Sequence, residues 1–589
     1  MKQFFKFVLA TIVGLIFATI ILIFVLIGIV ASASGDKSET VESNSVLSIA
    51  IDHPITERTP NNPLAGLSFL GFDTDKTIGL NDILANIKKA KTDDNIKGIY
   101  LSQSYMLSGQ ATTEEIRKAL IDFKKSGKFI VAYAEIYTQS FYYLASVADK
   151  VYINPKGIFD FSGFSSQITF LKGTLDKLGV EVQVIKVGTY KSAVEPFVLT
   201  KMSDANREQV TSYMGSLYDY FLQGISNSRH LNVDSLKSIA SNLKIQYPED
   251  ALKYKLVDGL KYKDEVLDDL KDRTGVKHNK DLNSISIDDY TKAASDKKDD
   301  EGSSDRRIAM IYASGEINGG DGDDNSIGSD KVSAAIRKVR LDNKVKAVVL
   351  RVNSPGGSSL ASAVIWREIV LTRKVKPVIV SMGDYAASGG YYIACAADSI
   401  IAEPNTVTGS IGIFAILPNM QKFFNDKLGV TFDGVKTGKF ADLGDISRPL
   451  TPEERAILQT QINHGYDDFT KAVAEGRHKT QSYIDSIGQG RVWTGSQALK
   501  LGLVDRLGNI NDAIESAARK AKITDYKVVT YPEQKSIFNK FGAGFSAEMK
   551  TRAIQSELGE NFKYYEQVKG LQNMMRTPQA RMPYVITIK

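Results

Sequence analysis

The chain reads as an α/β protein built from two copies of one domain behind an apolar N-terminal helix. Three observations predict this. First, Phe129–Pro155 aligns without a gap onto Val378–Pro404: Ile130/Ile379, Val131/Val380, Tyr142/Tyr391, Tyr143/Tyr392, Ala145/Ala394, Ala148/Ala397, Asp149/Asp398 and Pro155/Pro404 coincide. The match resumes downstream, where Arg229-His230 meets Arg477-His478 and Leu256-Val257-Asp258 meets Leu503-Val504-Asp505. A repeat of roughly 250 residues is far longer than a solenoid unit and marks a duplicated domain. Second, short apolar runs alternate with helical patterns inside each copy, as in a buried, largely parallel sheet covered by helices. Third, Phe7 to Ala33 holds no charge and is packed with Ile, Leu, Val and Phe.

From the N-terminus, the uncharged run is about 27 residues, enough to span a bilayer core of roughly 30 Å. Lys2 and Lys6 precede it, so the positive-inside rule puts the N-terminus in the cytoplasm and the rest outside. Ala31-Ser32-Ala33 resembles a cleavage site, but the apolar run is about twice the usual signal-peptide length. Residues 1–34 therefore read as an uncleaved anchor, the single span of the chain. Gly35–Asn44 is a polar tether, and the first domain covers 45–293. The stretch 294–306, with Lys297-Lys298-Asp299-Asp300-Glu301 at its heart, is a charged linker. The second domain covers 307–531. The tail, 532–589, has no counterpart in the first copy. It contains an amphipathic helical pattern near 545–573 and an apolar end, Met582–Ile588, that reads as a strand.

Within the second copy, Ile308–Tyr312 is a short apolar run and Lys331–Arg340 has helical spacing. Ala347–Leu350 reads as a strand, Asn353-Ser354-Pro355-Gly356-Gly357 as a turn, and Ser359–Arg373 as a helix. Val378–Ser381 is the next strand, followed closely by a helix over Ala387–Ala397.

Bulk properties exclude some classes of function. The formal charge of +6 is small for 589 residues, and no basic patch is interleaved with aromatics, so nucleic acid is not an expected partner. Lys-rich runs such as Lys88-Lys89-Ala90-Lys91 lie at helical spacing and read as solvated faces. The one cysteine, Cys395, rules out an intramolecular disulfide and a cysteine-based zinc site. It reads as a buried structural thiol. No metal or organic cofactor is implied.

The differences between the copies point to chemistry. Ser388, in Ala387-Ser388-Gly389-Gly390, is matched by Gln139 in the first copy. Lys191, in Gly188-Thr189-Tyr190-Lys191-Ser192, is matched by Ala441 in the second. One copy keeps a candidate nucleophile and the other a candidate base. Ser388 sits where a strand ends and a helix starts, so it reads equally as a helix N-cap or as a nucleophile. In the second reading the Gly389 N–H holds the oxyanion, and Gly357 is the candidate second donor. His478 recurs as His230 in a copy without the serine, which suits a structural role, and His464 is the other histidine of the second copy. Lys191 is the better base. It lies near Val194, Pro196 and Phe197, with Glu195 the only acidic residue close by. Desolvation can bring a lysine from about 10.4 toward 7–8, where it can take a proton.

Four motifs then carry a resemblance: Asn353-Ser354-Pro355-Gly356-Gly357, Gly383–Tyr392, Thr408-Gly409-Ser410-Ile411-Gly412 and Tyr190–Phe197. The chain resembles bacterial signal peptide peptidase A in its long, tandem-domain form. That resemblance implies two crotonase-like domains, the fold of caseinolytic protease subunits. It implies a dyad of Ser388 and Lys191, with the Ser410 hydroxyl near the lysine as an orienting candidate or as a loop cap. It further implies anchoring in the cytoplasmic membrane, a homotetramer, and digestion of signal peptides left after secretion. Two other readings fit a crotonase fold: an acyl-CoA enzyme relative and a non-catalytic scaffold.

Overall fold

The structure is a computed structural model that describes residues 2–33, 40–60, 77–293, 305–323, 325–534, 554, 557–559 and 578–582. Most of the linker expected at 294–306 and most of the helix expected at 545–573 lie outside these residues. Residues Lys2–Ala33 form one helix. The expected membrane-spanning helix is not supported further: among the described residues, no helix is long and apolar enough to cross a membrane. Most side chains over 20–33 lie outside that description.

Each copy is built on its own sheet. The first runs in the order Gly259–Leu260, Lys150–Phe159, Phe129–Tyr137, Ile96–Ser102, Ser45–Ile49, Ser284–Ser286, all parallel. The main path of the second runs Val492–Thr494, Val407–Gly409, Val378–Ala387, Val345–Ser354, Arg307–Ser314, Lys527–Tyr531. There every pair is parallel except the first. Their apolar runs follow from burial on both faces. Along Arg307–Ser314, Ile308 and Met310 pack with Ala513 and Ala517 on one side. Ala309 and Ile311 pack with Ile336 and Ile365 on the other. That is the period-two alternation of a strand sandwiched by helices. The duplication is visible in register: Ile136 lies opposite Ile158 in the first copy, as Tyr385 lies opposite Val407 in the second.

A third sheet joins the copies. Its order is Ser326–Gly328, Glu316–Asn318, Gly356–Ser358, Gln579–Arg581, Ile413–Asn419, Glu181–Val187. The last strand belongs to the first copy and runs antiparallel to Ile413–Asn419, from Ile413 opposite Val187 to Asn419 opposite Glu181. Buried charge also crosses the boundary. Arg351 of the second copy is fully buried and reaches Glu57 at 2.8 Å and Glu115 at 2.6 Å, both in the first. Asp384 accepts from the Thr112 N–H at 2.9 Å and the Thr112 hydroxyl at 2.6 Å.

Three local expectations change. The turn over 353–357 is instead the end of one strand, Val345–Ser354, and the start of another, Gly356–Ser358, whose backbone pairs on both sides. The helix expected from Ala387 begins at Gly389, because strand pairing extends through Ala387. At the C-terminus the strand is Gln579–Arg581, fixed by pairing partners rather than by its own apolarity. Met582 follows it, and 583–588 lie outside the described residues.

Candidate active site

Ser388 occupies the junction between strand Val378–Ala387 and helix Gly389–Ala394, with φ 55° and ψ −114°. Such backbone geometry is costly for a residue with a Cβ and persists only where its surroundings impose it. Here the Ser388 N–H donates to Gly409 O at 2.8 Å, and its carbonyl accepts from the Tyr392 N–H at 2.8 Å. Ser388 holds the N-cap position, but its side chain makes no capping bond. The hydroxyl is fully buried, 2.8 Å from Lys191 Nζ and 3.5 Å from Gly412 O.

Lys191 is brought across from the first copy. After strand Glu181–Val187 the chain turns at Gly188, whose φ is 109° and where a Cβ would stand 2.5 Å from Gln489 O. Only glycine fits both conditions. The Tyr190 N–H donates to Gln489 O at 2.9 Å. Gly490 lies against the lysine backbone, since a Cβ there would come within 2.7 Å of Lys191 Cα. The Lys191 side chain then passes Gly412 and ends 6.0 Å from the Phe414 ring centroid.

Burial alone holds the Lys191 ammonium well below the usual lysine range. Glu195 does not offset it, because that carboxylate is committed elsewhere. It accepts from the Ser203 N–H at 3.2 Å, the Ser203 hydroxyl at 2.5 Å and Asn206 Nδ2 at 2.8 Å. Around Nζ, the Ser410 carbonyl and hydroxyl oxygens both lie at 3.1 Å. A neutral amine has two N–H donors and one lone pair. The two Ser410 oxygens can accept both donors, which leaves the lone pair for the Ser388 hydroxyl proton.

Gly357 and Gly389 meet beside the serine. A Cβ on Gly356 would stand 2.8 Å from the Gly389 nitrogen, and one on Gly389 would stand 3.2 Å from the Gly357 nitrogen. Both N–H groups therefore border one small volume. Gly356 and Gly357 have φ of 99° and 156°.

The structure thus brings Ser388, Lys191, Ser410, Gly357 and Gly389 together. It keeps the histidines in other roles. His230 and His478 are the left-handed C-caps of two equivalent helices, Asp204–Arg229 and Pro452–Arg477, with φ 54° and 53°. His464 is exposed and faces Asp468. Cys395 is buried, its thiol pushed up to about 12 by desolvation. Ala441, matched to Lys191, sits in an exposed stretch. Among the described residues, no group of His, Cys, Asp or Glu could hold a metal ion. Sequence reasoning missed Phe414, Gln489 and Gly490, and gave Gly412 only as part of a motif. The pair of glycines in Gly488-Gln489-Gly490 was the available signal, but it comes from a loop far along the chain.

The model of "Peptidase family S49" matches residues 122–277 and 371–524, one segment in each copy. Protease 4 of Salmonella typhi is 37% identical over 91% of this chain and 87% of its own length. Protease 4 of Haemophilus influenzae is 36% identical over 87% of this chain and 84% of its own. The chloroplastic serine protease SPPA of Arabidopsis thaliana is 35% identical over 84% of this chain and 72% of its own. Among solved structures, a ClpP1 mutant from Listeria monocytogenes aligns with 16% identity and a TM-score of 0.24, over 35% of this chain and 94% of its own. With both copies matched and the protease relatives aligned over most of their length, the chain belongs to peptidase family S49 and is a serine peptidase of the long, tandem-domain form.

Proposed function

We propose that this peptidase cuts peptide bonds with Ser388 as nucleophile and Lys191, supplied by the other copy, as general base. The observation that carries the reading is the 2.8 Å contact between a fully buried Lys191 Nζ and the Ser388 hydroxyl, with no carboxylate beside the amine among the described residues. Neutral Lys191 takes the hydroxyl proton as Ser388 Oγ attacks the peptide carbonyl. The Gly357 and Gly389 N–H groups receive the oxyanion. Lys191 then returns the proton to the leaving amine, and water hydrolyses the acyl-enzyme by the same base. Ser410 is a positioning residue: by accepting both N–H groups it aims the lone pair at Ser388.

The substrates of this reading are short apolar peptides, cleaved signal peptides above all, met near a membrane. The uncharged run Phe7–Ala33 supports single-pass anchoring, and Lys2 and Lys6 support an extracytoplasmic body. Association as a homotetramer fits the exposed apolar side chains Leu428, Val430, Phe432 and Val435 on one segment of the second copy.

The test is covalent labelling by a fluorophosphonate near neutral pH. Wild type is expected to label, while folded Ser388→Ala and Lys191→Ala are not. Equal labelling of folded Lys191→Ala would remove the lysine from the mechanism.

A further inference from the structure

Gln489 joins a loop of the second copy to the loop of the first that carries Lys191. Its φ is 52°, a left-handed conformation that costs energy in a residue with a Cβ and that its surroundings must impose. Ser388 and Ser410, at 55° and 50°, share that conformation on the other sides of the lysine. Toward the first copy, the Gln489 carbonyl accepts from the Tyr190 N–H at 2.9 Å, and its Oε1 accepts from the Thr189 N–H at 3.4 Å. The next residue, Gly490, lies against the Lys191 backbone and against Gly412. A Cβ on Gly412 would stand 2.9 Å from Gly490 Cα and 3.1 Å from Lys191 Cδ. Any shift of Gln489 is therefore a shift of the lysine's seat.

The groups that impose the conformation come from the helix Pro452–Arg477 and from Asp485. Tyr466 is 8% exposed, its ring packed in the core of the second copy. Its hydroxyl donates to Asp485 Oδ1 at 2.7 Å and accepts from the Gln489 N–H at 3.2 Å and from Gln489 Nε2 at 3.3 Å. A phenol has one proton to give and two lone pairs to offer, so its full capacity is used here. Gln489 Nε2 also donates to Asp485 Oδ1 at 2.6 Å, which closes a triangle of the three side chains. The two nitrogens of Gln489 are thus held by the second copy and its two oxygens by the first. The counterpart of Tyr466 in the first copy is Tyr218. Its ring packs with Phe164 and Phe221, and its hydroxyl faces Gly163.

We propose that Tyr466 is a positioning residue for the peptidase reaction, a role that rests on the Ser388–Lys191 reading above. With Asp485 it locks Gln489, and Gln489 with Gly490 sets where Lys191 Nζ stands against the Ser388 hydroxyl. A base displaced by a fraction of an ångström still leaves the peptide groove intact. Loss of the lock should therefore slow the proton transfer and spare binding.

The experiment measures kcat and KM on a quenched-fluorescence peptide, with kcat expressed per serine titrated to completion by a fluorophosphonate. Tyr466→Phe removes one oxygen and keeps the ring in the core. Tyr466→Phe and Asp485→Leu are each expected to lose about 10- to 100-fold in kcat, with KM within about twofold of wild type. The double variant should lose no more than about threefold beyond either single one, because both break the same triangle. Asp485→Asn keeps an acceptor oxygen and is expected to hold kcat within about threefold of wild type. Tyr218→Phe should leave kcat unchanged. If Tyr466→Phe yields fewer titratable serines but a wild-type kcat for each, the hydroxyl only stabilises the fold and the positioning role is overturned. An equal loss in Tyr218→Phe overturns it too, since the lock would then have no special place. A fully active, folded Lys191→Ala overturns instead the mechanism beneath it.

Discussion

The two copies make the same strand-to-helix junction in opposite ways. In the first, Thr138 caps helix Gln139–Ala145 in ordinary extended geometry, φ −79° and ψ 156°, its hydroxyl accepting from the Phe141 N–H. Gln139, the partner of Ser388, turns its amide onto Gly163: Nε2 donates to Gly163 O and Oε1 accepts from the Gly163 N–H, both at 2.9 Å. In the second copy the residue at the junction is Ser388, left-handed in φ and without a capping bond. Gly163 is matched in the second copy by Gly412, and Phe161 by Ser410. Where the first copy fills the space with an amide pair and a buried phenyl ring, the second leaves room for an amine and two hydroxyls. A relaxed junction stabilises; a strained one holds a reactive group in place. Duplication allows one protein to hold both.

The sharpest way to break this contrast is to remove either reactive group. Ser388→Ala and Lys191→Ala are each expected to lower kcat/KM on a peptide by about 10⁴-fold or more, with far-ultraviolet circular dichroism unchanged. A residual loss below tenfold in either would mean that the second junction is not special.

The pH profile comes next. In the proposed mechanism Lys191 must be neutral to act, and burial lowers its proton affinity. Activity should rise with pH through a midpoint well below the ordinary lysine value, and a rise only near that value would contradict the burial effect. Stability follows the same sign. Between the lowered folded value and the ordinary unfolded one, the unfolded chain binds the extra proton, so this residue's contribution to stability grows as pH rises. Lys191→Met should therefore gain on wild type most at low pH in urea titrations, with the gap narrowing toward alkaline pH.

Ser410→Ala is expected to cost about 10- to 100-fold in kcat, with little change in KM. A hydroxyl acceptor favours the ammonium over the amine, so its loss should also move the pH midpoint down. A purely structural role would leave that midpoint where it is. The smallest effects belong to the relaxed copy. Gln139→Ala should destabilise by about 1–3 kcal/mol by unpairing Gly163, and Thr138→Ala by about 1 kcal/mol through loss of the cap. Neither should change turnover per folded molecule. A large loss of turnover from Gln139→Ala would show that the first junction takes part in the chemistry.

Much of this is legible in the sequence alone. The strands over 308–312 and 347–350 and the helix Ser359–Arg373 follow from apolar period and length, which are local. Ser388 and Lys191 emerged because aligned copies expose the position each has changed. Less legible was everything set by partners distant in sequence. Gly356-Gly357 looks like a turn until strand Glu316–Asn318 and the tail pair with it. Phe414 and Gly490 have no local pattern that points to Lys191; only the antiparallel meeting of Glu181–Val187 with Ile413–Asn419 places them there. The tail strand is too short to announce itself, since three residues have no measurable periodicity.

The clasp of Gly188–Lys191 onto Gln489 and Gly490 has a consequence for the making of the protein. Some three hundred residues separate the two sides of that clasp. A ribosome delivers Lys191 early, Ser388 much later, and the loop that seats the lysine later still. On the proposed mechanism, a growing chain carries no competent peptidase until its second half has emerged and docked. The proposed dyad is thus a time lock as well as a site: a chain that stops before the second copy cannot bring Lys191 and Ser388 together.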